Sequence, residues 1–328
     1  MINLTSEASG MDYSGRLLEI LFRAVRGEEL SIKKIADAYG VSIKSVSRDI
    51  AKIKAFLADN RELVGHAELE YDYTAKAYRL VSDEFLTDKE MFAVAKVILG
   101  VRAFSEMDAA GLVNKFKKFT TVKDRKMLDI IVRKELYHYT EIKHDCDNVI
   151  DVLWKLVNIL NNKREITIRY YRIDRTLMER RVQPVSLVFM EFYFYMIAYY
   201  PGKYDEPRYF RVDRIKDITE HRKTFDSVRI PDFDEGMLRK RCQFMFYGKL
   251  RKIRFLFTGL SVQAILDRLP TARIVERKRG HFIIEAETHG DGIKLFLLSQ
   301  GSWVKALDPP EFVFEIKAEI EKMLKMYD

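Results

Sequence analysis

Residues 180–218 read RRVQPVSLVFMEFYFYMIAYYPGKYDEPRYFRVDRIKDI, two runs rich in aromatic residues and arginines on either side of a turn-rich spacer. Alternating aromatic and β-branched residues predict two strands of one sheet, because such side chains suit a pleated surface. Arg208, Arg211 and Arg214 stand next to aromatic residues, and guanidinium groups beside rings can hold phosphates and nucleobases. The pattern therefore indicates a site for an anionic ligand. The alternative is a surface strand whose arginines are solvated or paired with nearby carboxylates.

The segment EITIRYY at 165–171 predicts one further strand before this stretch. Together these strands predict a small, strongly curved antiparallel sheet, consistent with an SH3-like or Sm-like barrel. The strand order and the motif FRVDRI at 210–215 resemble the WYL domain of bacterial transcriptional regulators, with the name-giving tripeptide replaced by FYM at 194–196. The resemblance implies a WYL sensor domain over residues 163–235.

The resemblance also implies a ligand. In the WYL family the sheet is expected to bind an effector that switches a DNA-binding head, and for some members this effector is a nucleotide or a nucleic acid. It therefore implies a nucleotide or single-stranded nucleic-acid effector for this chain. The resemblance implies that the effector-binding residues of this chain are Arg181, Tyr195, Arg208, Arg211 and Arg214.

The spacing of the last three arginines adds a geometric expectation. Residues an odd number of positions apart on a strand point to opposite faces. Arg211 and Arg214 are therefore expected on opposite faces, unless a bulge or the strand end intervenes. Arg208 and Arg214 are an even number of positions apart, so they are expected on the same face of the strand. One arginine of the group is expected to be structural and to pair with an acidic residue such as Asp213.

The positive charge of the chain is concentrated in its middle. The formal net charge is +8, and residues 1–82 carry 12 basic and 12 acidic residues. Residues 161–254 carry 22 basic and 13 acidic residues, an excess larger than that of the whole chain. An anionic partner is therefore expected to contact the middle of the protein as well as the N-terminal region.

The N-terminal region predicts three helices. The first helix is predicted from an apolar stripe that begins at residue 17, and Gly27 ends it. The second is predicted from its N-cap at Ser31 to Tyr39, and the third begins after an N-cap at Ser42. The third helix has a predicted buried stripe and an opposite basic face. The stripe is Val46, Ile50, Ile53 and Leu57; the basic face is Lys44, Arg48 and Lys52, with Ser45 and Ser47 beside it.

Two helices joined by a short turn at Gly40, the second with a basic outward face, predict a helix-turn-helix that places its second helix in the DNA major groove. The alternative is a helical hairpin with a solvated lysine face. Residues 67–81 add two predicted strands around a turn from Tyr73 to Lys76, a wing that can contact the DNA backbone. Residues 1–82 resemble the winged helix-turn-helix of DeoR-like regulators. The predicted DNA-binding residues are Ser42, Lys44, Ser45, Ser47, Arg48, Lys52, Tyr73 and Lys76.

Two further regions complete an α+β multidomain chain. Residues 83–162 predict a helical connector that starts with a capping box at Thr87 and Glu90 and shows no sign of chemistry. Residues 236–328 predict the order strand, helix, strand, strand, helix, strand of a ferredoxin-like domain. The stretch LLSQGSWVKALDPPEF at 297–312 resembles the WCX extension that follows WYL domains. This domain is expected to serve dimerisation or ligand gating.

Several classes of protein are not indicated. The two cysteines and six histidines lack the spacing of a metal site or a catalytic set, and no phosphate-binding glycine loop occurs, so we expect no metal, no cofactor and no enzymatic activity. Neither a signal peptide nor a long apolar span is present, which predicts a cytoplasmic protein without a membrane partner.

The resulting hypothesis is a ligand-responsive bacterial transcriptional regulator. It would act as a homodimer, because one small head makes few base contacts and two heads on a pseudo-palindromic operator multiply affinity for double-stranded DNA. Two alternatives remain open: an RNA- or protein-binding adaptor that uses the basic sheet, and a nucleic-acid-processing enzyme.

Overall fold

A computed structural model describes residues 12–82, 87–119, 122–225, 235–244, 248–278 and 280–328 of the chain. The chain forms two compact units, Met1–Ile142 and Lys143–Asp328. The described part is mixed α and β with several antiparallel sheets. The predicted boundary between residues 82 and 83 adjoins residues 83–86, which lie outside the described part.

Short helices and one hairpin make up the described part of the first unit. Its elements are α1 (Tyr13–Val25), α2 (Ile32–Tyr39), α3 (Ile43–Asp59), α4 (Arg61–Val64), β1 (Glu68–Asp72), β2 (Ala77–Val81), α5 (Asp88–Val101), α6 (Glu106–Lys117) and α7 (Val122–Tyr137).

The starts and stops of α2, α3 and α5 follow from local sequence. Gly40 ends α2 in the left-handed conformation, with φ of 62°, which glycine adopts without steric cost. Ser42 caps α3, since its side chain accepts a hydrogen bond from the Ser45 backbone N–H. The predicted capping box of Thr87 and Glu90 is confirmed at the start of α5. Ser31 occupies the N-cap of α2 but makes no side-chain capping bond.

The core of the N-terminal region lies between α1, α2, α3 and β1. The predicted buried stripe of α3 is confirmed, because Val46, Ile50, Ile53 and Leu57 are all buried. They pack with residues of the neighbouring elements, among them Ile20, Ala24, Leu30, Ile35 and Leu69. The opposite side of α3 is thus left to solvent.

The described part of the second unit contains two sheets and their helices. Its elements are α8 (Val149–Asn161), β3 (Arg164–Tyr171), β4 (Leu177–Met190), β5 (Tyr193–Tyr200), β6 (Lys203–Arg211), β7 (Ile215–Thr224), α9 (Glu235–Arg241), β8 (Leu250–Phe257), α10 (Val262–Arg268), β9 (Arg273–Lys278), β10 (His281–His289), α11 (Gly292–Ser299), β11 (Val304–Asp308) and α12 (Pro310–Leu324).

The first of these sheets is antiparallel, with the order β6-β5-β4-β3-β7. Strand β4 belongs to both halves of the sheet: its residues 177–182 pair with β3 and its residues 183–190 pair with β5, with a register shift near Pro184. The sheet bends there. Among the described residues, β6 and β7 are edges that do not pair with each other, so the predicted barrel is an open, bent sheet and not a closed ring.

Helix α8 packs against β3 and β4 of this sheet. The ammonium group of Lys155 on α8 donates to the carbonyl oxygen of Ile218 on β7 at 3.0 Å. The sequence interpretation grouped α8 with the helical connector, whereas the structure places it in the second unit. The buried residues of α8, Val149, Leu156 and Ile159, belong to the apolar stripe that suggested a connector helix.

The C-terminal elements follow the predicted order of strand, helix, strand, strand, helix, strand, and a last helix. Their antiparallel sheet has the order β11-β8-β10-β9. One face of the sheet packs on the helices through Phe255, Ile284 and Phe312, all fully buried. The other face carries mainly charged residues.

Two helical glycines are expected to respond in opposite directions to alanine. A Cβ at Gly292 would overlap the backbone carbonyl of Gln243, whereas a Cβ at Gly111 in α6 would meet no atom within 4 Å. We expect Gly292→Ala to lower the free energy of unfolding by roughly 1–3 kcal/mol through overpacking. Gly111→Ala should raise it by about 0.5–1 kcal/mol, since alanine favours helix. Urea denaturation checks both, and equal effects would contradict the close packing at Gly292.

Candidate functional site

The exposed face of α3 carries two basic side chains without partners in the part of the chain that the structure describes. Lys44 and Arg48 are exposed and lie four positions apart, on the same side of the helix. Lys52, one further turn along, has its ammonium group 4.9 Å from the centre of the Tyr13 ring. The first two side chains are therefore available to a ligand, while Lys52 also contacts α1.

The serines at the start of α3 are engaged in local bonds. Ser42 Oγ accepts from the Ser45 backbone N–H at 3.1 Å, and the two hydroxyl groups are 2.9 Å apart. Ser47 Oγ donates to the Ile43 carbonyl oxygen at 3.0 Å. All three predicted serines thus lie beside Lys44 and Arg48, and the local bonds fix their orientation.

A buried ion pair holds α3 against α1. Asp49 is 1% exposed, and its Oδ2 accepts from Arg16 Nε at 2.8 Å. The interaction with Asp49 raises the pKa of Arg16. Because Arg48 is the next residue, this pair fixes the orientation of the basic face relative to the rest of the N-terminal region.

Replacement of Asp49 by asparagine is expected to lower the free energy of unfolding by about 2 kcal/mol, because it removes a charged hydrogen bond in a buried place. The matched control is Glu28→Gln, which breaks the more exposed pair with Arg23 at 2.9 Å. That change should cost less than about 1 kcal/mol. Urea denaturation monitored by circular dichroism compares the two, and equal costs would show that the Arg16–Asp49 pair has no special role.

The hairpin of β1 and β2 presents the predicted turn to solvent. Asp72 Oδ1 accepts from the backbone N–H groups of Thr74 at 2.8 Å and Ala75 at 3.0 Å, and Lys76 has a φ of 50°. Tyr73 is 85% exposed at the tip, and its ring contacts Tyr71 edge-on at 5.1 Å. An exposed aromatic and an exposed lysine at a fixed tip can contact a phosphate backbone.

In the five-stranded sheet, three of the predicted effector residues come together. Tyr195 on β5 is the cross-strand partner of Arg211 on β6. The Arg211 guanidinium lies 3.3 Å from the centre of the Tyr193 ring. Burial raises the pKa of the Tyr170 phenol, and the Arg211 backbone N–H and then the nearby Arg214 guanidinium oppose that rise. We call these five residues the tyrosine–arginine cluster.

Arg211 is the most constrained member of this cluster. Its Nε and Nη2 donate to the two carboxylate oxygens of buried Asp213 at 3.0 and 2.7 Å. Its backbone N–H donates to Tyr170 Oη at 3.3 Å. This bidentate pair is the structural pairing with Asp213 that the sequence suggested for one of the arginines.

Burial dominates the electrostatics of the cluster. It raises the pKa of Tyr195 to about 12, against the opposing effect of the Arg211 guanidinium. It also raises the pKa of the nearby Cys146 thiol to about 11, and the Asp213 charge adds to that shift. The phenol and the thiol are therefore neutral at physiological pH. The cluster combines neutral hydrogen-bonding groups and aromatic rings with two cations, which suits a planar anionic ligand.

Arg181 and Arg208 lie elsewhere. Arg181 forms an ion pair with the buried Glu165, which also accepts from Gln183 Nε2 at 2.9 Å. Arg208 is exposed, lies 3.6 Å from the Glu206 carboxylate and has its guanidinium carbon 5.9 Å from the Tyr200 ring centre. The five predicted effector positions therefore form one group of three and two separate side chains.

The expectation that Arg208 and Arg214 share one face of a strand is wrong. Strand β6 ends at Arg211, and residues Val212–Arg214 form a 3-10 turn. Alternation along a strand therefore does not extend to Arg214. The turn leaves Arg214 close enough to the Tyr170 phenol to affect its pKa.

Two members of the cluster, Tyr193 and Tyr170, were not predicted from the sequence. Tyr193 stands two positions before Tyr195, so strand alternation could have placed both on one face. No sequence signal indicated Tyr170, which reaches the site through the pairing of β3 with β7.

Some types of site are not found in the described ranges. There, no group of three or more His, Cys, Asp or Glu side chains is placed to hold a metal ion. No described helix has the length and apolar composition needed to cross a bilayer.

Comparison with known proteins identifies the sheet domain. Residues 151–220 match the WYL domain family, so the match begins within α8 and ends within β7. No curated protein matches the chain.

Two solved structures show a loose similarity. Proteasome accessory factor B/C (PafBC) of Arthrobacter aurescens is 16% identical over 95% of this chain, with a TM-score of 0.30. A CRISPR Cas-related protein is 12% identical over 100% of this chain and 99% of its own, with a TM-score of 0.39. The chain spans about half, 49%, of the length of the PafBC structure. The WYL assignment therefore depends on the domain match.

Proposed function

We propose that the protein is a ligand-responsive bacterial transcriptional regulator. Residues 1–82 form a winged helix-turn-helix that binds operator DNA, and the WYL domain binds a nucleotide or single-stranded nucleic-acid effector. The C-terminal sheet and helices form a ferredoxin-like WCX extension. The protein acts as a cytoplasmic homodimer and has no catalytic activity.

The observation that carries the DNA-binding part is the exposed face of α3. Lys44 and Arg48 are unpaired within the described residues and stand at the start of a helix that follows a short glycine turn. In a helix-turn-helix the first turns of the second helix contact base edges, and the serines and hairpin tip can contact phosphates. The buried Arg16–Asp49 pair supports this interpretation, because it orients that face.

The sensor part rests on the WYL match and on the tyrosine–arginine cluster. Arg211 and Arg214 stand beside Tyr193, Tyr195 and the buried Tyr170, so guanidinium groups, phenols and rings come together at one place. Guanidinium groups bind phosphates and rings stack on bases, so this combination suits a nucleotide or a short single strand.

The test is selection of duplex DNA from a random pool by the full-length protein, followed by fluorescence anisotropy with the enriched sequence. We expect a pseudo-palindromic motif with half-sites about 10 base pairs apart, as two symmetric heads require. A pool without any enriched motif, together with tight binding of RNA, would favour the adaptor alternative and contradict the regulator.

A further inference from the structure

Three basic side chains converge on one carboxylate in the C-terminal sheet. Glu285 Oε2 accepts from Arg254 Nε at 3.0 Å, and its Oε1 accepts from Arg273 Nη2 at 2.5 Å and lies 3.1 Å from Lys252 Nζ. We call Lys252, Arg254 and Arg273 the basic triad. Its contacts, that of Arg273 first, lower the pKa of Glu285 to about 2, so the carboxylate is ionised at neutral pH.

The basic triad lies on the face of the sheet opposite the hydrophobic core. Ile253 and Phe255 of β8 belong to the core, so alternation places Lys252 and Arg254 on the opposite face. Arg254 and Arg273 are both cross-strand partners of Glu285, on the two sides of β10. Lys305 on β11 pairs with Leu256 and extends the same face to a fourth strand.

The cations lie on the solvent side of the carboxylate. The Glu285 side chain is 4% exposed, whereas those of Arg254, Lys252 and Arg273 are 50%, 57% and 69% exposed. A buried carboxylate needs one well-placed cation to be neutralised, and further cations repel one another. An anion bound from the solvent side would relieve that repulsion, and the guanidinium groups retain unused donors for it.

Neighbouring acidic residues do not neutralise this face. Glu287 is engaged with Arg241 at 2.8 Å, and Glu276 with Lys278 at 2.5 Å. Asp308 is the cross-strand partner of Arg254 at the sheet edge. Even with Asp308 included, the basic triad and Lys305 outnumber the described carboxylates that remain for them.

We propose that this face binds the phosphates of a nucleic-acid backbone. The basic triad is narrow enough to contact one phosphate group, because all three side chains reach the same carboxylate, and Lys305 extends the positive surface toward the next phosphate. A sheet face suits an extended polyanion, whereas a small ligand usually occupies a concave pocket. The site involves neither α3 nor the tyrosine–arginine cluster, so it is independent of the proposed operator and effector sites.

The test uses the full-length protein in a Lys44→Ala/Arg48→Ala background, which removes the contribution of α3. In this background, the triad variant Lys252→Gln/Arg273→Gln is compared with a control that combines Lys317→Gln on α12 with Lys325→Gln directly after that helix. Both pairs remove the same charge from exposed positions of one unit. Arg254 still pairs with Glu285 in the first variant, so the fold should persist. The probes are pyrophosphate, a short single-stranded oligonucleotide and a mixed-sequence duplex.

We expect the triad variant to bind at least one of the two nucleic acids about tenfold more weakly than the control does, because it has lost charged contacts to the phosphates. The salt dependence of single-strand binding should fall by roughly 0.7 per lost contact. Equal binding of both nucleic acids by the two variants would overturn the proposal. Loss of pyrophosphate binding alone would also overturn it and would assign the face to a small phosphate ligand.

Amine labelling of Lys252 gives a second, local measurement that needs no variant. In the otherwise unchanged protein, the oligonucleotide should protect the Lys252 amine from acylation, and the exposed amine of Lys317 should be labelled as before. Unprotected Lys252 at saturating oligonucleotide would refute binding at this face even if the triad variant failed to fold.

Discussion

Replacement of Arg48 by alanine is expected to weaken operator binding roughly tenfold to a hundredfold, because a bidentate arginine–base contact is worth about 1–3 kcal/mol. Arg48 is exposed on α3, and no intramolecular partner holds it in the described part of the chain. Its removal should therefore leave the free energy of unfolding within about 0.5 kcal/mol of the parent value. Anisotropy with the selected duplex measures the affinity, and urea denaturation measures the stability.

The matched control for this change is Arg133→Ala on α7, which removes an exposed arginine from the same unit. We expect it to bind the operator like the parent protein. Lys44→Ala should weaken all duplexes alike and reduce the salt slope by about 0.9, the value for one lost phosphate contact. Parent-like affinity of Arg48→Ala would show that α3 does not recognise the operator.

The N-terminal region could be predicted closely because its signals are local. Ser42 and Gly40 set the ends of helices through bonds and dihedral angles within a few residues. The buried stripe of α3 follows from helical periodicity alone. The pairing of Arg16 with Asp49 was not predicted, because the two residues lie on different helices and meet only through the way those helices pack.

The sheet sites were predicted only in part, since they depend on register and on where strands end. The prediction from strand alternation was wrong for Arg214, because β6 ends at Arg211 and a 3-10 turn follows. The basic triad gave no sequence signal, because Arg254 and Arg273 reach Glu285 only through the pairing of β8 and β9 with β10. The composition did show an excess of cations, but only the fold shows which of them are neutralised.

Replacements of Arg211 and Arg214 are expected to separate stability from effector response. Arg211→Ala leaves Asp213 buried and unpaired, which should lower the free energy of unfolding by roughly 3–5 kcal/mol. Arg214→Ala removes a side chain whose described neighbour is a neutral phenol, so the protein should stay folded and bind the operator. It should no longer respond to its effector. The measurement is the change in operator anisotropy on addition of nucleotides or short single-stranded oligonucleotides.

Two further variants make this separation strict. The double variant Arg211→Ala/Asp213→Ala removes both charges of the buried pair, so it should recover much of the stability lost in Arg211→Ala, because no unpaired charge remains. Its effector response should still be absent if Arg211 also binds the ligand. Arg208→Ala, which removes a side chain that lies near Tyr200 and Glu206, should change neither property. A parent-like response of both Arg214→Ala and the double variant would place the effector outside this cluster, and Arg181 beside Glu165 would be the next position to replace.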